Sequence, residues 1–162
     1  MELALEEAQK ALNAGEFPVG CVLVHKGRVV AAAGRENSRV DGNEFDHAEI
    51  VALRQLLEKD PSIDFSEVAV YSTLEPCLMC YTTLILNGFR TIVYGYEDVM
   101  GGGCNLELKR LSPLYASMQV KVIPAVKRAE CLELFQRFFQ DEKNDYWRDS
   151  PLSQYTLDQH TG

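Results

Sequence analysis

Two short segments gather residue types that together do metal chemistry: His47-Ala48-Glu49 and Pro76-Cys77-Leu78-Met79-Cys80. On a helix, Cys77 and Cys80 share a face. A helix N-terminus lowers thiol pKa and favours the thiolate a metal needs. His47 and Glu49 would point about 200° apart in mid-helix at ~3.6 residues per turn, so they serve one site only if a helix begins near His47. Two thiolates and an imidazole are donors that zinc prefers, and three protein ligands leave a fourth position for water, as in a catalytic site. Zinc lowers the pKa of that water to roughly 7. Glu49 is placed to accept the proton and return it to a leaving group. Pro-Cys-x-x-Cys alone also fits a redox pair or half of a structural zinc site. Joined to His-Ala-Glu, it points to a metal-assisted hydrolase.

The elements that position these segments follow from periodicity. Leu3, Leu5, Ala8, Ala11 and Leu12 mark one face of an opening helix that stops near Asn13–Gly15. Pro18–Val24 and Val29–Ala33 read as a hairpin turning through His25-Lys26-Gly27-Arg28. A polar stretch, Gly34–Phe45, leads to a helix holding Ile50, Val51, Leu53 and Leu56–Leu57. Val68–Thr73 reads as a buried strand, Pro76–Asn87 as a helix with Gly88 just past its end, and Thr91–Tyr94 as another strand. Gly101-Gly102-Gly103 is either a mobile loop or a plain connection. A short helix around Leu106–Leu111, a strand at Val120–Ile123 and a helix lined by Leu132, Leu134, Phe135, Phe138 and Phe139 complete the order. From Asp141 onward the chain reads as polar with scattered aromatics. A hairpin followed by alternating helices and strands indicates an α/β fold on a mixed sheet.

Composition sets bounds. At 162 residues, 46% hydrophobic and 25% charged, the chain suits one compact domain that buries roughly 68–70% of its unfolded surface. Apolar runs such as Val29–Ala33 fall far short of the roughly 20 residues of a membrane span, and Met1-Glu2-Leu3 lacks signal-peptide character. The expectation is a soluble cytoplasmic protein with no membrane partner. A net charge of −8 leaves little surplus cation for phosphates. Five cysteines, an odd number without an export signal, argue against disulfides. Cys21 and Cys131 sit among apolar residues, Cys104 reads as a loop thiol outside the ligand set, His25 as a hairpin-turn residue and His160 as a tail residue.

Taken together, Pro18-Val19-Gly20, Asn37, His47-Ala48-Glu49-Ile50, Thr73-Leu74-Glu75-Pro76-Cys77 and Tyr94-Gly95 resemble, in order, the pattern of the cytidine/deoxycytidylate deaminase superfamily. The resemblance covers about Leu3 to Phe139 and is closest to tRNA wobble-adenosine deaminases. It implies a three-layer α/β/α sandwich on a five-stranded mixed sheet, a homodimer, and hydrolytic loss of an exocyclic amine as ammonia. It further implies Zn2+ held by His47, Cys77 and Cys80, a proton shuttle at Glu49, base contact at Asn37, and a base pocket lined by Val19 and Leu74. Asp98 falls where the tRNA enzymes contact ribose, although a turn cap suits it equally.

Two features turn the expectation away from tRNA. Phe138-Phe139 is followed by Gln140-Asp141-Glu142-Lys143 rather than a basic cluster, and Asp145-Tyr146-Trp147-Arg148-Asp149 resembles the closing segment of fungal cytosine deaminase. Residues 1–140 therefore read as the deaminase domain and 141–162 as a tail and candidate lid, with Tyr146, Trp147 and Asp149 over the substrate; docking of the tail onto the body explains Tyr146 and Trp147 as well. The leading expectation is a small partner, a free base or nucleoside of cytosine or guanine type. The alternatives are tRNA adenosine-to-inosine conversion, disfavoured by net charge, and a non-catalytic zinc-containing partner subunit.

Overall fold

The structure, a computed structural model, describes residues 1–40 and 43–159. The expectation for His160, and the part of the Gly34–Phe45 stretch at positions 41 and 42, lie outside the described residues. A hairpin of β1 (Gly20–His25) and β2 (Arg28–Gly34) follows helix α1 (Glu2–Asn13). Then come α2 (Ala48–Lys59), β3 (Val68–Leu74), α3 (Leu78–Leu86) and β4 (Thr91–Tyr96). The chain continues through α4 (Pro113–Ala116), β5 (Lys121–Ile123), α5 (Arg128–Gln140) and α6 (Pro151–Asp158).

The five strands form one mixed sheet in the order β2-β1-β3-β4-β5. β1 runs antiparallel to both β2 and β3, and β3, β4 and β5 are parallel. Parallel neighbours need a crossover, supplied by α3 between β3 and β4. Both α1 and α2 pack on β1 and β2, so they cover opposite faces; α5 joins α1, and α3 joins α2. The result is the expected α/β/α sandwich. Gly20 is required here because a Cβ would collide with the backbone of Ala4 and Ala8, and its absence lets α1 lie close on β1.

The core is aromatic on the α5 side. Phe17, in the loop before β1, packs on Phe135, Phe138, Phe139 and Tyr146 with ring centroids 5.2–5.9 Å apart. Tyr96, at the end of β4, stacks on Phe135 at 5.5 Å. Cys21 and Cys131 are buried, as their apolar neighbours suggested. Phe138 is core, and Phe139 packs edge-on against it. The region after the glycines holds a 3-10 turn (Leu108–Arg110) and then α4, instead of one short helix at 106–111.

The segment after residue 141 is more structured than its composition suggested. Ser150 caps α6 by accepting from the Ser153 N–H, and Pro151 occupies the first turn. Leu152 and Thr156 are buried, and the Tyr96 hydroxyl reaches Thr156 Oγ1 at 3.2 Å. Apolar spacing was too sparse over eight residues to reveal this helix, though the Ser-Pro start signal was present.

Candidate functional site

His47 and Cys77 hold equivalent positions. Each is the N-cap of its helix with extended backbone, φ −64° and ψ 146° before α2, φ −63° and ψ 168° before α3. Glu49 and Cys80 therefore fall in first turns, the condition under which both segments serve one place. His47 Nδ1 lies 3.6 Å from Cys77 Sγ and 3.5 Å from Cys80 Sγ. All three donor atoms lie within 4.8 Å of one another. Tetrahedral zinc, with Zn–S near 2.3 Å and Zn–N near 2.0–2.1 Å, spaces nitrogen and sulfur about 3.5 Å apart. The donors and their spacing fit Zn2+. Cys104 lies outside this cluster; its N–H donates to Glu75 Oε1 at 3.1 Å.

Electrostatics single out Cys77 as the thiolate of the cluster. The hydrogen bond from Cys80 pulls the Cys77 thiol down to about 4; burial opposes it, and the bond with His47 adds to the lowering. The same Cys77–Cys80 bond, with burial, raises Cys80. Burial alone would lower His47, but Cys77 and Glu49 outweigh it and the imidazole is raised. Glu49 is 3% exposed. Desolvation, reinforced by Cys77, raises its carboxyl despite the bond that the Ser72 hydroxyl donates at 3.1 Å. A buried carboxyl that keeps its proton more readily is suited to acid–base work near neutrality.

The turn carrying Cys77 is clamped from the glycine loop. Glu75 accepts from the N–H groups of Asp98 (3.3 Å) and Cys104 (3.1 Å). Gly103 donates to the Pro76 carbonyl at 2.9 Å, and Gly102 bridges Cys77. A Cβ on Gly103 would sit 2.7 Å from Leu78 Cα, so the loop approaches the start of α3 only because no side chain is there. The triple glycine is a close-packed brace.

A cavity of about 190 Å³ opens beside the cluster, below the roughly 300 Å³ at which drug-sized pockets begin. His47, Glu49 and Cys77 line its chemical end, Phe17, Val19 and Leu74 its apolar wall, and Tyr146, Trp147 and Leu152 approach from the C-terminal segment. Asp98 caps a turn, accepting from the N–H groups of Met100 (3.0 Å) and Gly101 (2.9 Å), and also lines the cavity.

Two expected contacts are not brought to the cavity. Asn37 adopts a left-handed backbone (φ 56°), and its amide donates to Asp46 Oδ2 at 2.9 Å. Asp149, in the turn before α6, is also left-handed (φ 59°), and its backbone carbonyl accepts from the side chain of Gln154 in that helix. The reading of sequence missed Arg35, Glu44 and Leu152 in the lining. Arg35 carried a signal, a cation directly after the apolar run that ends β2; Glu44 carried none.

Comparison with known proteins follows the same line. Residues 1–96 match the family model described as the cytidine and deoxycytidylate deaminase zinc-binding region. A tRNA-specific adenosine deaminase 2 from Xenopus laevis is 33% identical over 150 residues, covering 88% of this chain and 85% of the relative. A solved structure from studies of A-to-I editing by tRNA:A34 deaminases is 33% identical, with TM-score 0.72 over 83% of this chain and 96% of that one. A guanine deaminase from Nitrosomonas europaea has TM-score 0.65 at 21% identity, covering 85% and 81%, a likeness of fold alone. These findings overturn the expectation of a small-base or nucleoside partner. Net charge sums the whole chain and leaves room for one surface that meets RNA, and a five-residue likeness to cytosine deaminase is outweighed by one-third identity along the body. No helix among the described residues is long and apolar enough to cross a membrane. With its donor cluster, buried carboxylate and sandwich accounted for together, the chain belongs to the zinc-dependent cytidine and deoxycytidylate deaminase family of hydrolytic deaminases.

Proposed function

We propose that this protein deaminates adenosine to inosine in tRNA. The observation that carries the reading is the one-third identity, over nearly the whole body, with proteins named for that activity. The geometry supports it. A narrow cavity with a mainly apolar wall takes one base out of its stack, as enzymes acting on a base within a strand require. A cytoplasmic setting belongs to the same proposal.

In this reading His47, Cys77 and Cys80 hold Zn2+, which when bound supplies Lewis acidity that makes water a nucleophile at neutral pH. Val19 and Leu74 flank the ring, Asp98 faces the ribose side, and Tyr146 and Trp147 border the mouth. Glu49 takes a proton from the attacking water and delivers it to the departing amine. At the ring carbon a C–O bond forms, the C–N bond breaks, and ammonia leaves. The Ser72 hydroxyl, donating to Glu49 Oε1, fixes the orientation of the carboxylate.

Zinc-loaded protein incubated with deacylated tRNA, nucleosides and free bases, with ammonia and tRNA inosine both followed, tests the proposal. Inosine in the anticodon loop is the expected product. Turnover of bases or nucleosides with tRNA left intact would overturn it.

A further inference from the structure

One oxygen, Glu44 Oε2, gathers three donors from separate parts of the chain. His47 Nε2 lies 3.2 Å from it, the Tyr146 hydroxyl 3.0 Å, and Arg35 Nη2 3.5 Å. Because His47 Nδ1 faces both thiols, its proton belongs on Nε2, which donates to Glu44. Metal-ligating histidines are commonly oriented this way, by a carboxylate on the far ring nitrogen that fixes the tautomer and raises ligand basicity.

The carboxylate is itself held. Arg35 is 3% exposed, a position where a guanidinium is costly unless well bonded. It donates to the carbonyls of Asn43 (2.7 Å) and Glu36 (3.0 Å), pinning the loop that carries Glu44. Tyr146 lies 102 positions further along the chain and is anchored by its ring on Phe17 at 5.2 Å. An exposed Glu–His pair alone would be worth little; this one is oriented from two sides.

We propose that Glu44 is a positioning residue acting through His47, and that Tyr146 couples docking of the C-terminal segment to the geometry of the metal ligand. The proposal rests on the reading of His47 as a zinc ligand. It needs no assumption about the RNA.

Zinc competition against a chromophoric chelator tests it on wild type, Glu44→Ala, Glu44→Gln, Tyr146→Phe and the Glu44→Ala/Tyr146→Phe pair. Glu44→Ala is expected to weaken zinc binding about 10–100-fold, the usual cost of losing such a partner. Glu44→Gln, which keeps an acceptor oxygen, is expected to recover part of that loss. Tyr146→Phe is expected to shift affinity the same way by less, and to add nothing once Glu44 is alanine. Wild-type affinity in Glu44→Ala would overturn the proposal, and so would a Tyr146→Phe effect that persists undiminished in the alanine background. Circular dichroism of the metal-free variants checks folding; if Glu44→Ala misfolds, wild-type affinity in Glu44→Gln together with Tyr146→Phe overturns the proposal instead. A wild-type protein that binds no zinc would bring down the ligand assignment itself, a failure distinct from loss of the relay.

Discussion

At the scale of single residues, the division between holding an ion and moving a proton is sharp. Glu49→Gln removes a proton carrier and no ligand, so it is expected to keep one zinc per chain while deamination falls by at least about 10²-fold; metal analysis beside a single-turnover assay checks both. His47, Glu49, Cys77 and Cys80 were legible in sequence because each pair opens a helix, where so short a spacing can serve one site. Glu44 was not, since its partner Tyr146 is brought to it by tertiary packing. The hydrogen bond of Asn37 was hidden for a different reason. The residue's left-handed backbone turns the amide toward Asp46, and such a turn is invisible in a motif.

At the scale of elements, function depends on how α3 and α6 are held. Gly103→Ala would press a methyl into the first residues of α3 and is expected to weaken zinc binding though it touches no ligand; chelator competition on a variant with wild-type circular dichroism checks it. Glu97, at the end of β4, pairs with Arg128 (Nε to Oε2, 2.8 Å) and accepts from the α6 Tyr155 hydroxyl at 2.7 Å. Burial would raise this carboxyl, but Arg128 and Tyr155 prevail and it is lowered. A lowered folded-state pKa contributes stability above the unfolded value of about 4.3, lost as pH falls through the folded value. Acidification below about pH 4 is therefore expected to loosen α6, read by the emission of Trp147, the single tryptophan. The hairpin, both ligand helices and the parallel strands were legible from periodicity. α6 was not, because its burial is decided by Tyr96 and α5 rather than by its own short pattern.

At the scale of the whole molecule, a net charge of −8 limits how strongly the protein grips phosphates even as a tRNA enzyme. Raising salt from 50 to 200 mM is expected to weaken tRNA binding by less than about tenfold, against roughly 10³–10⁵ for proteins making 6–10 phosphate contacts; filter binding across a salt series checks it. The aromatic packing of Phe17 and Tyr96 on α5 carries one more consequence. Residues 1–96, which match the family model, contain all four chemistry-bearing groups, yet their inner surface is finished by Phe135, Phe138 and Cys131. Excised, that piece is expected to precipitate or melt without a cooperative transition in calorimetry. The signature is thus not a portable cartridge: the half of the chain that bears no ligand supplies the scaffold on which the other half can exist.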